Sequence, residues 1–558
     1  MTLRSAYTRA VDLLQRHLLV VAPLLAAACI VAAVSALHDG TYAALGRDQG
    51  IFHYVAYSLR HGERAYRDFH EINGPLPHAW NVLVQTLGGE DEHALRTFDT
   101  LFTTLVYGAS ATMLPRWVGI DLSGRALVPW ALAGVGVLGT QFVVFDWWQT
   151  NQREGFYAAI LLGSLSLQAA AHHTRSPRRA SALFALAAVG TSLTWFGKPP
   201  CALISVLQLG VLLLDRSTLC ISLRRALLLS AAGALVSASA MLAFVAAYGS
   251  LSDAVRVLSA VPLLHHTIWN RSIVECYWAY DNAPRLNVAF GTLVVFIAAF
   301  FVLRLPRRAL LAVILPVGGF VIFAAQGKGF PYHLQMVTLG TAVAHLVVVA
   351  ALAKRGHERG GANAIVASAL ALALGVKCVD EARRSPAARS DWPTAGRTME
   401  LRGTHAYFDL FPWGDYFVGD LHDAARFVAA QTQPEDRVQT YGLDPYFLFL
   451  AKRRTATPVI YNFELNVDPA LEGGSGARLD AAQRTTLLAR RDAAEQLVLR
   501  TVTSSPPGAF VFFDRAPFGH PDDGELDFAT HCPALYAWVE NHYHAATRFG
   551  TVRVRLRR

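Results

Sequence analysis

The chain of 558 residues is too long for one ordinary domain, and it is 53% hydrophobic but only 16% charged, against about 25% charged in an average soluble domain. With a mean hydropathy of +0.31, this excludes a disordered chain and argues against a wholly soluble enzyme. The expected class is a polytopic α-helical membrane protein with a soluble part. Six cysteines, two of them in apolar segments (Cys29 and Cys201), exclude a disulfide scaffold, and no CxxC pair or Cys/His zinc spacing is present.

A membrane span needs about 20 apolar residues, or about 17 at the short end. Eleven segments meet or approach this: 18–38, 94–114, 126–145, 156–172, 181–196, 200–214, 226–247, 287–303, 309–325, 332–352 and 362–378. The fifth and sixth are short and separated by Gly197-Lys198-Pro199-Pro200, so they also read as one broken hairpin. The first is too long for a cleaved signal peptide. Cytoplasmic loops collect Lys and Arg. With eleven spans and a cytoplasmic N-terminus, Arg4/Arg9/Arg16, Arg116/Arg125, Arg175/Arg178/Arg179, Arg216/Arg224/Arg225, Arg304/Arg307/Arg308 and Lys354/Arg355/Arg359 all fall inside. The net charge of +9 is therefore a topology signal rather than a nucleic-acid footprint. The stretch 75–89 (PLPHAWNVLVQTLGG) is expected as a helix in the outer interface, since counting it as a span would put Arg175, Arg178 and Arg179 outside.

Two domains follow: a transmembrane domain over 1–378 and a soluble extracytoplasmic α/β domain over 379–558. The second is expected to run helix 419–432, strand 437–443, strand 457–462, helix 479–500, strand 509–514, helix 533–541 and a final strand at 546–556. Its polar run His520, Asp522, Asp523, Glu525 reads as a hydrated loop. Cys276 and Cys532 both fall outside, where an oxidising compartment would permit a disulfide.

Chemistry-bearing residues gather in the outer loops. Loop 39–93 holds Asp48, Glu63, Asp68, Glu71, His53, His61, His70 and His78 among aromatic residues that include Tyr54. The spacing of Ile51, Phe52, Val55 and Leu59 predicts a helix over 49–60, with Gly62 as its stop. Asp48, just before it, reads either as an N-cap or as a functional acid. Loop 146–155 (FDWWQTNQREGF) places Asp146, Arg153 and Glu154 beside two tryptophans at the membrane boundary. It reads as a polar turn, or as a site, since an acid at that depth is expected when hydrated or functional. Lys198 and Lys328 are either snorkelling anchors or, with His333, a cradle for a lipid phosphate. Loop 249–286, with Arg256, Arg271, His265 and His266, reads as solvated or as an addition to that cradle.

Taken together, Gly46-Arg47-Asp48-Gln49-Gly50, Gly62…Tyr66-Arg67-Asp68-Phe69 and Pro75…Pro77…Trp80 resemble the GT-C superfamily of polyprenyl-phosphate-sugar-dependent glycosyltransferases. The protein mannosyltransferases and lipid A aminoarabinose transferases are the nearer relatives. Segment 437–462 is similar to the domain that follows the membrane core in many of them. The resemblance implies an inverting transfer of a sugar from a polyprenyl phosphate to an envelope glycan, lipid or protein acceptor on the extracytoplasmic face of a bacterial inner membrane. It implies catalytic roles for Asp48, Glu71 and Glu154, with Asp48 as base. Lys198, Lys328, His333 and Arg271 would hold the donor phosphate, and Asp146, Tyr54 and His53 the acceptor or sugar. Gln49 stands where relatives often carry a second acid. Some relatives bridge acid and phosphate with a divalent metal, magnesium or manganese; Asp48, Glu71 and Glu154 are the candidates for such an ion. Two other classes stay open. A transporter or flippase of lipid-linked cargo would place charges or broken helices at mid-membrane. A glycan ligase or polymerase would rest on an Arg/His pair in loop 249–286.

Overall fold

The structure, a computed structural model, describes residues 40–121, 127–150, 152–359, 395–411, 413–472, 479–515 and 522–558, with single helical positions at 369, 373 and 376. The first expected span lies outside these residues, as does nearly all of the eleventh.

Helices begin where the sequence supplies caps. The helix α1 (Arg47–Arg60) starts after extended Gly46. Next, α2 (Pro75–Gly88) opens on a proline, whose missing N–H costs nothing in a first turn. In α3 (Glu92–Trp117), Asp91 accepts from the His93 N–H. The chain continues through α4 (Leu127–Val144), the short α5 (Asp146–Gln149) and α6 (Arg153–His173). Ser176 caps α7 (Pro177–Leu193), which is followed by α8 (Ala202–Leu214). Ser222 caps α9 (Leu223–Tyr248) and Ser250 caps α10 (Leu251–Trp269). Then come α11 (Ile273–Trp278), α12 (Asn282–Val302), α13 (Leu311–Gln326) and α14 (Gln335–Arg359).

Among the described residues, four helical stretches are long and apolar enough to cross a membrane: Leu223–Tyr248, Asn282–Val302, Arg307–Gln326 and Pro331–Arg355. Two shorter apolar helices, Trp130–Phe142 and Pro199–Leu214, accompany them. The fifth and sixth expected spans are α7 and α8, joined by two 3₁₀ turns through Lys198. Loop 249–286 is not open coil, since α10 and α11 occupy most of it. At one end of the bundle, Arg308 donates to the Arg116 carbonyl (3.1 Å), Arg307 to that of Leu214 (2.8 Å) and Arg355 to that of Leu303 (2.9 Å). Basic clusters far apart in sequence therefore meet at one end. At the other end, Gln335 donates to the Gln149 carbonyl.

The C-terminal part holds α15 (Ala395–Leu401), α16 (His405–Asp409) and α17 (Val418–Gln431), then β1 (Arg437–Tyr441), α18 (Tyr446–Leu450) and β2 (Arg454–Thr455). It continues with α19 (Asp468–Glu472), α20 (Ala481–Ser504), β3 (Ala509–Phe513), α21 (Gly524–His531), α22 (Pro533–His542), β4 (Thr547–Phe549) and β5 (Val552–Leu556). The sheet order is β2-β1-β3-β5-β4; β1 pairs parallel with β2 and β3, while β5 runs antiparallel to β3 and β4. Side chains alternate across it. Val511 packs with Leu421 and Val428 of α17, while Phe510 and Phe512 pack with Phe528 and Leu535 on the other face. Two expectations need correction. The strand at 457–462 does not form, and the final strand is a hairpin bent at Gly550 (φ 52°). Cys276 and Cys532 are both free. Asp523 caps α21 and pairs with Arg553 at 2.7 Å, so it is structural rather than loose.

The C-terminal part shares a core with α1 and α5: Tyr54, Tyr57 and Trp147 pack in one cluster with Tyr446, Phe447 and Phe449.

Candidate active site

The N-terminus of α1 carries the site. Gly46 has extended backbone (φ −73°, ψ 171°) and is the N-cap. Asp48 therefore lies within the first turn rather than ahead of it, as the sequence had suggested. The cap is closed by Gln49, whose Oε1 accepts from the Gly46 N–H at 2.6 Å. The same Oε1 accepts from Arg96 (3.0 Å), while Gln49 Nε2 donates to the carbonyls of Trp148 and Thr150. An amide both donates and accepts, which a carboxylate cannot do. This explains why a second acid does not follow Asp48, and it leaves the Asp48 carboxylate available for other work.

Asp48 borders a cavity of about 700 Å³. The wall draws on α1, loop 72–73, α5, residues 269–285, the turn 328–332 and the C-terminal segments 413–415, 443 and 461–463. Its cations are Arg47, Arg153, Arg271, Arg285 and Lys328; its acids are Asp48, Asp281 and Asp415. Arg47 is engaged by Asp444 (2.6 Å) and Asp415 (3.4 Å), and it lies over the Tyr416 ring at 5.0 Å. The lining thus carries five cations against three acids, a balance that favours anions.

Burial pushes the Asp48 carboxyl up, and nearby Glu154 adds to this; Arg153, Arg47 and a hydrogen bond from Tyr332 oppose it without reversing it. A carboxylate raised from its ordinary value is a stronger base. Burial, then Arg153 and Lys198, push Lys328 down to about 7. Its charge is disfavoured until an anion arrives.

Glu154, in the first turn of α6, is 1% exposed and held by Lys198 (2.6 Å), Arg153 (3.0 Å) and, more distantly, His333 (3.7 Å). It lies behind the cavity wall and fixes Arg153, which does line it. Lys198 and His333, expected at the donor phosphate, lie against Glu154 and outside the lining, whereas Lys328 and Arg271 are within it. Glu71 is fully buried, and burial pushes its carboxyl up. It accepts from Tyr461 Oη (2.7 Å) and the Asn73 N–H (2.9 Å), two residues that do line the cavity. His53 and Tyr54 are placed elsewhere. His53 packs on Phe449 and bonds Gln85, and Tyr54 Oη accepts from the Thr455 N–H, so neither meets the cavity. Asp146 belongs to α5, and its side chain lies outside the described residues.

No group of three His, Cys, Asp or Glu side chains able to hold a metal ion exists among the described residues. Glu71 accepts from Tyr461 and Asn73, and Glu154 Oε1 from Lys198 and Arg153; Asp48, Glu71 and Glu154 form no such group and do not fit an ion shared among them.

Sequence reasoning set Arg153 in a candidate loop without a role, and did not assign Arg47, Arg285, Tyr332 or Tyr461 to the site. A signal existed for the arginines: each lies in a stretch expected outside, where the positive-inside rule leaves an arginine unexplained. Tyr461 could not be found this way, because its contact with Glu71 spans 390 residues.

No protein-family profile and no curated protein matches the sequence. The structure is similar to the crystal structure of ArnT from Cupriavidus metallidurans bound to undecaprenyl phosphate. The TM-score is 0.55 at 17% sequence identity, over 95% of this chain and 97% of that one. The likeness, over nearly the whole of both chains, is one of fold: apolar helices followed by a small C-terminal sheet.

Proposed function

We propose that this chain is an inverting glycosyltransferase. It moves a sugar from a polyprenyl-phosphate donor to the hydroxyl of an envelope glycan, lipid or protein acceptor. The observation that carries the reading is Asp48, raised in basicity, on the wall of a cavity that also presents Arg153, Arg271, Arg285 and Lys328. The bound polyprenyl phosphate of ArnT, which shares the fold, agrees with an anion there.

The acceptor O–H gives its proton to Asp48. The acceptor oxygen bonds to the anomeric carbon as the bond from that carbon to the phosphate oxygen breaks. The electron pair stays on the phosphate, where Arg153 and Lys328 stabilise the growing charge. Inversion follows from a single displacement and needs no nucleophile on the protein. Glu154, with Lys198 and His333 behind it, orients Arg153. Glu71 orients Tyr461 and Asn73.

In this reading the membrane domain covers 1–378 and the extracytoplasmic domain 379–558, with eleven spans and a cytoplasmic N-terminus in a bacterial inner membrane. The meeting of Arg116, Arg307, Arg308 and Arg355 at the end of the bundle away from Asp48 supports that orientation.

The test is release of polyprenyl phosphate from a panel of polyprenyl-phosphate sugars by the full chain in lipid nanodiscs. Wild type should release it, and Asp48→Asn should be slower by about 10²–10⁴. Equal rates would remove Asp48 as the base.

A further inference from the structure

We infer that the C-terminal domain supplies the acceptor subsite of this cavity, and that the acceptor group it holds is a sugar ring without negative charge. The inference rests on the glycosyl-transfer reading and names the second substrate's seat.

The sheet gives the first reason. In the order β2-β1-β3 all three strands are parallel, and the chain leaves β1 for β2 on one side while β3 flanks the other. Open parallel sheets bind ligands at the carboxyl end of the strand where the order reverses. Here that strand is β1. Leu443, two residues beyond it, lines the cavity, and Asp444 pins Arg47 beside Asp48 at 2.6 Å. Tyr461 and Phe463, after β2, reach the same wall with rings parallel at 5.1 Å. The edge of the sheet that most often binds ligands thus faces the candidate base.

Chemistry gives the second reason. The wall from this domain is Trp413, Asp415, Leu443, Tyr461 and Phe463. Trp413 stacks on Trp148 at 4.4 Å and 11°. Aromatic faces with a carboxylate and a phenol suit the C–H face and hydroxyls of a sugar ring. The cation nearest this wall, Arg47, is already held by two aspartates. Arg153, by contrast, is set by Glu154 at the membrane helices. Aromatic side chains line the cavity all round, but its five cations all come from residues 47–328 and none from the C-terminal wall; the cavity therefore has a cation-bearing side for a phosphate and a cation-free side, with Asp415, for a second substrate.

Saturation-transfer NMR on the full chain in nanodiscs tests this, with octyl glycosides of neutral, amino and acidic monosaccharides as probes. At least one neutral or amino glycoside should bind wild type. Trp413→Ala and Phe463→Ala should weaken it by tenfold or more, and Asp415→Asn should weaken an amino glycoside most. Arg256→Ala, on the exposed face of α10, is the control and should bind as wild type. Each variant is first checked for an unchanged unfolding temperature, and Asp415→Asn serves where an aromatic truncation does not fold. No binding by any glycoside, preference for the acidic ones, or binding indifferent to all three wall substitutions would overturn the inference. Donor release is measured on the same wild-type sample. Release without glycoside binding sinks the subsite alone, and glycoside binding without release sinks the proposed reaction alone.

Discussion

Lys328 is the residue at which charge and function are most tightly linked. Burial, Arg153 and Lys198 push its pKa down to about 7, so it is cationic below about pH 7 and neutral above. A phosphate is held by the cationic form. The kcat/KM for donor, which reports the free enzyme, should fall above about pH 7, while kcat should hold to higher pH because a bound phosphate restores the charge. On the acid side the sign is opposite. Asp48 acts as base when ionised, and its raised pKa moves the rising limb above that of an ordinary aspartate. Lys328→Arg should remove the falling limb up to about pH 12, where arginine begins to titrate; an unchanged limb would assign it to another group. Glu154 makes a different prediction. Replacing it with Gln leaves Lys198 and Arg153 without their carboxylate in a buried site, and breaking such a pair costs about 3–5 kcal/mol. Thermal unfolding in nanodiscs should show a large drop even though Glu154 touches no cavity surface. Gln49→Glu should also destabilise, since its Nε2 donates to the carbonyls of Trp148 and Thr150 and a carboxylate would face them unpaired.

At the scale of elements, α1 is held between the membrane bundle and α18. Gly50 is what allows the close approach, because a Cβ there would lie 2.6 Å from Tyr446 Cγ. Tyr446 is fully buried and has no room to retreat. Gly50→Ala should cost about 1–3 kcal/mol as overpacking does and loosen α18, read as faster proteolysis within 446–455. The sequence showed these elements unevenly, for physical reasons. The period of 3.6 marked α1 over 49–60, although the folded helix is buried on every side from Gln49 to Leu59, and the prolines marked α2. The strand expected at 457–462 had the right β-branched and aromatic composition, but Pro458 has no N–H to give a ladder. The segment is instead held beside β1 through the Gln439 side chain, whose Oε1 accepts from Thr457 Oγ1 (2.7 Å) and whose Nε2 donates to the Val459 carbonyl (3.1 Å). The acids of the site were legible because charge at a membrane edge is conspicuous. Their partners were less so: Glu154 to Lys198 spans 44 residues and Arg47 to Asp444 spans 397, and no local pattern encodes such pairs.

For the whole molecule, the salient contact is Arg47 with Asp444 and Asp415, since it joins the residue beside the candidate base to the C-terminal sheet. If the two parts were only tethered, Arg47→Ala would change stability and nothing else. Its charge, however, is one of those that hold the Asp48 carboxyl down against burial. Removing it should move the rising limb of the pH–rate profile to higher pH, in addition to destabilising the fold by leaving Asp444 buried and unpaired. Arg47→Lys keeps the charge but loses the fork that meets two aspartates at once. It should restore the limb while leaving stability below wild type. Asp444→Asn should destabilise and leave the limb near its wild-type position, because Arg47 keeps its charge. A double-mutant cycle over Arg47 and Asp444 separates the two effects. A coupling energy in unfolding with no shift of the limb in Arg47→Ala would make the C-terminal domain a clamp alone; a shift restored by lysine would make it part of the machinery that sets the base.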